Sequence, residues 1–314
     1  MSADGSKKVV IAALVGNGLI AITKFGAATV TGSSAMFSEA IHSVVDTSNQ
    51  ALILYGMGRS KRPADEAHPF GYGMELYFWT FVVAVLLFAV GAGVSMYEGV
   101  MKIMNPHEIE NAFINYIVLG LAFIFESVAW WMAFKEFQSR RGQLGIIAAL
   151  RDSKDPAVIT VLLEDTAATL GLLVAFLGIY LGQTLNLPVL DGVASVVIGI
   201  ILASVSLFLA VECKGLLVGE SAKSPVVRGI RALADARDGI VGVNELRTMH
   251  LGPEDLLVNI SVDFADGLTS SDVEAEISEL EREIKMSYPE AKRVFIEAQS
   301  LAGHHASEKD APET

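Results

Sequence analysis

The most pointed chemistry in the chain sits in one short stretch, Ser38-Glu39-Ala40-Ile41-His42-Ser43-Val44-Val45-Asp46. Glu39, His42 and Asp46 fall on one face of a helix, so an imidazole stands one turn from a carboxylate on either side. A His and an Asp four residues apart can give two ligands to one metal ion. The surrounding segment is built for lipid. A carboxylate near a bilayer centre costs about 2.5–3.5 kcal/mol, so a polar stripe there either lines a pathway for something it binds or glues helices together.

The elements that must position this stripe follow from composition. The 314-residue chain is 52% hydrophobic and 19% charged, with mean hydropathy +0.47, which is too apolar for a soluble domain and implies several membrane spans. Six apolar stretches are long enough to cross, near residues 9–31, 34–57, 76–100, 111–135, 157–181 and 188–214. The connections after the second and fourth carry Arg59, Lys61, Arg62, Lys135, Arg140, Arg141, Arg151 and Lys154, whereas those after the first and fifth carry no Lys or Arg. The positive-inside rule therefore predicts cytoplasmic termini. In that orientation His42 lies about 13 Å below the outer surface, at 1.5 Å per residue.

The fifth span runs the opposite way and brings Glu164 and Asp165 to a similar depth. Glu126 in the fourth span reads as a proton carrier beside the site or as a polar partner of Lys24 or of a helix dipole. Gly16, Gly18, Gly26, Gly91 and Gly93 suit close helix packing. The loop Arg62 to Glu75 is dense in turn formers. In it, Asp65 and His68 form either a second, exposed cation site or a turn with capping acids.

After Gly219 the pattern becomes that of a small soluble domain. A helix is predicted over Pro225 to Asp238, strands over Val241 to Met249 and Leu256 to Phe264, a helix opened by the capping box Thr269-Ser270-Ser271-Asp272, and a strand over Lys292 to Ala298. This αββαβ order predicts an α+β, ferredoxin-like unit. The division expected is a transmembrane domain over residues 1–215, a cytoplasmic domain over 216–303 and a disordered tail over 304–314, where His304 and His305 are solvated or bind metal weakly. The net charge of −13 argues against nucleic acid. The single Cys213 excludes an intrachain disulfide and a cysteine metal cluster. The polar start, Met1 to Lys8, lacks a signal-peptide cleavage site and is expected to be retained.

Taken together, Thr31-Gly32-Ser33, the Glu39 to Asp46 stretch, His68-Pro69-Phe70-Gly71-Tyr72-Gly73 with Glu75, Glu164-Asp165, and Gly219-Glu220-Ser221 resemble the cation diffusion facilitator family. The likeness runs through nearly the whole chain, and the Glu-Asp-Thr-Ala-Ala form of the fifth span is similar to the branch that includes a mitochondrial zinc transporter. The resemblance implies a membrane all-α bundle of six transmembrane helices with a C-terminal cytoplasmic ferredoxin-like domain. It also implies a homodimer that exports a divalent transition metal, zinc first, against protons. The family's transport site takes two ligands from each of spans two and five. His42 and Asp46 match the first pair and Asp165 one member of the second. Val161 occupies the remaining position and cannot ligate. Glu164, water, Glu39 or Glu126 would then complete the set, and an oxygen-rich set also suits Mn2+, Fe2+ or Co2+.

Met74 stands where the family often has a loop lysine, and Tyr72 where some members have His. The tail-domain positions aligned with structural zinc ligands are Asn244, Asn259, Ser271, Glu297 and Gln299, so little metal binding is expected there and the domain's expected role is dimerisation. Proton coupling follows from the chemistry itself: a metal needs neutral imidazole and ionised carboxylate, so protons and metal compete for one pocket. A membrane metal sensor or scaffold is the competing reading. An enzyme is not expected, because there is no phosphate-binding Gly-Lys-Ser/Thr loop and no nucleophile–base pair. The expected location is the bacterial inner (plasma) membrane.

Overall fold

The computed structural model describes residues 3–109, 111–142 and 145–310. The expectations for Gly16, for the Arg140 side chain and for residues 311–314 lie outside the described residues. The chain divides into two compact units, one comprising the residues up to Lys61 with Glu75–Lys214, the other Arg62–Met74 with the residues from Gly215 on.

The first unit is helical. Its elements are α1 (Ala3–Thr31), α2 (Ser34–Ser60), α3 (Glu75–Leu86), a π-helical turn (Leu87–Ala92), α4 (Gly93–Met104), α5 (Ala112–Arg141), the short α6 (Ile146–Asp152), α7 (Pro156–Thr184) and α8 (Val189–Val218). Among the described residues, four helical segments are long and apolar enough to cross a membrane: Glu75–Met104, Ala112–Ser139, Pro156–Thr184 and Val189–Val218. With 27 residues, α2 has the length but not the hydropathy, because it carries Glu39, His42, Asp46 and a serine-rich start. The π turn inside the third predicted span and the separate helix α6 were not legible in the apolar pattern, which registers length and hydropathy rather than hydrogen-bond register.

The exterior of this unit is apolar. On α5, Phe113 (73% exposed), Ile124, Phe125, Trp131 and Met132 face outward while Glu126 is buried, the reverse of a helix that borders water. Between α4 and α8 the backbones touch: a Cβ on Gly99 would lie 2.7 Å from the Gly192 carbonyl oxygen. Gly18 and Gly26, expected to be packing positions, have nothing among the described residues within 4 Å of a built Cβ.

The second unit contains α9 (Ser224–Asp235), β1 (Ile240–Gly252), β2 (Asp255–Phe264), α10 (Ser270–Ser287), β3 (Arg293–Ala298) and α11 (Leu301–Asp310). The sheet order is β1-β2-β3, with β1 antiparallel and β3 parallel to β2. The parallel pair needs a crossover, which α10 supplies. Val258, Ile260 and Val262 alternate inward from β2 onto Ile230, Leu280 and Ile284, so the period-2 pattern read from the sequence is the one that builds this core. Thr269 and Asp272 close the capping box at the start of α10.

Two features depart from the expected division. The loop Arg62–Met74 belongs with the second unit, where Arg293 Nη2 donates to the Phe70 carbonyl at 2.8 Å and its guanidinium lies 5.7 Å from the Phe70 ring. The tail expected to be disordered is helical over Leu301–Asp310. Its first amides are satisfied, Leu301 N–H by Asp263 Oδ2 and Gly303 N–H by Ser300 Oγ, each at 3.2 Å, which removes the usual cost of starting a helix.

Candidate metal centre

The helix that bears the chemistry is anchored at its start. Gly32 turns the chain at φ 67°, a left-handed conformation suited to glycine, and Ser33 caps α2 by accepting the Met36 N–H at 3.1 Å. The Asp191 carboxylate of α8 then accepts from Ser33 Oγ and Ser34 N–H, both at 2.7 Å, and from Ala35 N–H at 3.3 Å. Lys102 of α4 balances that charge, with Nζ 3.8 Å from Asp191 and 2.9 Å from the Gly32 carbonyl. A buried anion on the first amides of α2 is where the helix dipole favours it.

Further along α2, Glu39 Oε2 and Ser43 Oγ accept from Lys24 Nζ at 3.1 and 2.8 Å. His42 and Asp46 follow on the same face, with Nδ1 and Oδ1 3.4 Å apart. One turn beyond, Asn49 Nδ2 donates to Glu164 Oε1 of α7 at 2.6 Å. His42 is 1% exposed and Asp46 7%. Both ring nitrogens of His42, Asp46 Oδ1 and Asn49 Oδ1 are buried without a hydrogen-bond partner among the described residues. Such atoms are rare in folded proteins and usually belong to a site that something else satisfies. An imidazole nitrogen and carboxylate or amide oxygens suit a borderline divalent cation.

The structure brings together some of the expected residues. His42 and Asp46 are adjacent. Glu164 is held by Asn49, a residue the sequence reading passed over although it lies three places beyond Asp46 on the same stripe. Asp165, the next residue on α7, is half-buried. Among the described residues no group of three or more His, Cys, Asp or Glu side chains is close enough to hold a metal ion. Glu126 is buried on α5, but the ammonium of Lys24, proposed as its partner, is engaged with Glu39 and Ser43 of α2.

In the second unit, Asp65 is occupied within its own loop. Oδ1 accepts the His68 N–H at 2.7 Å and Oδ2 the Tyr72 hydroxyl at 2.6 Å. These bonds, the Tyr72 one first, hold the Asp65 carboxyl below its ordinary range. The His68 ring lies 3.4 Å from Asp65 and packs on Tyr72, an arrangement that makes the loop a turn. Of the tail-domain positions aligned with zinc ligands, Asn244 donates to the Gln299 carbonyl at 2.7 Å and to Ser261 Oγ at 3.3 Å. His304 Nδ1 lies 3.1 Å from Gln299 Oε1.

Residues 10–218 match the family model of the cation efflux transmembrane domain. The chain belongs to the cation diffusion facilitator family. Cation diffusion facilitators are transporters and not enzymes. Among relatives, the mitochondrial proton-coupled zinc antiporter SLC30A9 of Xenopus laevis is 30% identical over 95% of this chain and 60% of its own length. The Homo sapiens protein of the same name is 33% identical over 83% of this chain and 46% of its own. The chain thus spans about half the length of these curated relatives. The manganese efflux system protein MneP of Bacillus subtilis (strain 168) is 24% identical over 93% of this chain and 95% of its own length.

Proposed function

We propose that this cation diffusion facilitator exchanges a divalent transition-metal cation, zinc first, for protons, and exports the metal from the cytoplasm by alternating access. The observation that carries the reading is the buried His42–Asp46 pair, whose ring nitrogens and Oδ1 have no hydrogen-bond partner among the described residues. His42 and Asp46 are the ligands from α2, and Asp165 and Glu164 those from α7, with Glu126 as a proton carrier. Binding requires neutral imidazole and ionised carboxylates, so each cation bound displaces protons and each proton rebound weakens the site. The ordinary histidine value of about 6.5 lies where a transmembrane pH difference can bias that competition. Alternating access then needs the helices to move around a fixed pocket.

Six spans, cytoplasmic termini, a homodimer with a dimerising ferredoxin-like second unit and a place in the bacterial inner (plasma) membrane complete the reading. The distribution of Lys and Arg between loops supports the orientation, and the family likeness supports the dimer. Proteoliposomes loaded with a fluorescent zinc indicator test the transport. An outward proton gradient should drive saturable filling, and His42→Ala should abolish it. Filling that ignores the gradient, or that survives His42→Ala, would overturn the reading, and binding without turnover would make the chain a metal sensor or scaffold.

Manganese, iron or cobalt is the second reading for the cargo. Val161 removes one ligand, while Glu164 and the free Asn49 Oδ1 offer oxygens, which favour harder cations. Competition between Zn2+ and Mn2+ in the same vesicles decides between them.

A further inference from the structure

We infer that Lys24 sets the metal preference of this transporter by withholding the Glu39 carboxylate from the cation bound at His42 and Asp46. The inference rests on the transport reading above and concerns the same site. Glu39 precedes His42 by three residues and Asp46 by seven, so all three share one face of α2. Both Lys24 and Glu39 are fully buried.

The ammonium of Lys24 holds Glu39 Oε2 at 3.1 Å and is itself steadied by Ser43 Oγ at 2.8 Å. The other oxygen, Glu39 Oε1, has no hydrogen-bond partner among the described residues. It faces the bare backbone of Gly171 on α7, where a Cβ would come within 2.2 Å of it. One carboxylate oxygen is therefore neutralised by a fixed cation, and the other is set against a glycine that brings no donor. A buried carboxylate needs a counter-charge or a proton. With Lys24 present the need is met from α1; without it, the positive charge one helical turn away is the transported ion.

Lys24 thereby fixes the number of carboxylates that face the pocket. With Glu39 engaged, the imidazole of His42 dominates the α2 side, a donor set suited to zinc. With Glu39 released, the set gains a hard oxygen ligand and turns toward manganese. A lysine is suited to this role because its compact ammonium neutralises one oxygen as a point charge without a guanidinium's bidentate grip.

Calorimetric Zn2+ and Mn2+ affinities of the full chain in lipid nanodiscs test this. Lys24→Met should shift the Mn2+-to-Zn2+ affinity ratio toward Mn2+ by about tenfold or more, and a ratio within about threefold of wild type would overturn the inference. Lys24→Met/Glu39→Gln leaves no unpaired charge and decides the matter even if Lys24→Met alone does not fold. Its zinc affinity and metal ratio should stay within about threefold of wild type, and a loss of zinc affinity of about tenfold would make Glu39 a wild-type ligand and overturn the inference. His42→Ala is measured beside them. Zinc binding lost in His42→Ala with an unchanged Lys24→Met ratio overturns the role of Lys24 alone, whereas zinc binding retained in His42→Ala overturns the site and this inference together.

Discussion

Asn49 of α2 donates to Glu164 of α7 at 2.6 Å, one turn beyond Asp46 and on the far side of His42 from the Lys24–Glu39 pair. The His42–Asp46 pair therefore lies between two polar ties, Glu39 and Asn49 being separated by about 15 Å along α2 at 1.5 Å per residue. Because Asn49 Oδ1 stays unpartnered, the bond orients the amide so that its oxygen remains available on the stripe.

Glu164→Gln separates a ligand from a structural tie. A glutamine oxygen still accepts from Asn49, so the fold should persist, while the lost charge should weaken zinc binding by about tenfold or more if Glu164 coordinates. Calorimetry on the purified variant checks this. Affinity equal to wild type would send the missing ligand elsewhere.

Asp191→Ala should destabilise the first unit strongly. It strands Lys102 and frees the Ser33, Ser34 and Ala35 donors in a fully buried place, and breaking a buried pair costs about 3–5 kcal/mol. Thermal unfolding in detergent should show a large drop. Asp191→Asn keeps acceptors for α2 and should fall between the alanine variant and wild type.

Gly171→Ala should cost about 1–3 kcal/mol through overpacking, since its Cβ would lie 2.2 Å from Glu39 Oε1. The same measurement applied to Gly26→Ala, where nothing lies within 4 Å, should show no loss. Equal behaviour of the two variants would remove the close approach of α2 and α7 from the description.

Asp272 offers a pH dependence outside the membrane. Hydrogen bonds from the Thr269 side chain and then its backbone N–H hold the carboxyl below its ordinary 3.8. A depressed value means that the ionised form is the one favoured by folding. The capping contribution is thus complete above the unfolded-state value and is lost as pH falls through the folded one, in the region below about 4. Amide exchange in the first turn of α10 should quicken in that window. Asp272→Asn should flatten this local response.

The αββαβ order of the second unit was legible because its signals are local: a capping box at Thr269–Asp272, apolar residues at every second position from Val258 to Phe264 and a turn after Gly252. The helix Leu301–Asp310 was not, because the acceptor for its first amide comes from Asp263, far back in the chain. The same holds for the loop Arg62–Met74, whose anchoring cation, Arg293, is 223 residues from Phe70. Its motif leaves a cation site and a turn equally open, and the structure adds that the Asp65 oxygens accept from the His68 N–H and the Tyr72 hydroxyl.

By itself, the sequence determined that the chain is a membrane protein with a mixed α/β tail, and that His42 and Asp46 share a helical face, since hydropathy and the period of 3.6 residues act over a few turns. Only the tertiary structure decided which buried charges neutralise one another. It paired Lys24 with Glu39 and Lys102 with Asp191, tied the Asn49 amide to Glu164, and left the ring nitrogens of His42 and Asp46 Oδ1 without a hydrogen-bond partner among the described residues. Ion pairing in a low-dielectric interior is settled by which helices touch and at what level. Spacing along the chain does not encode that.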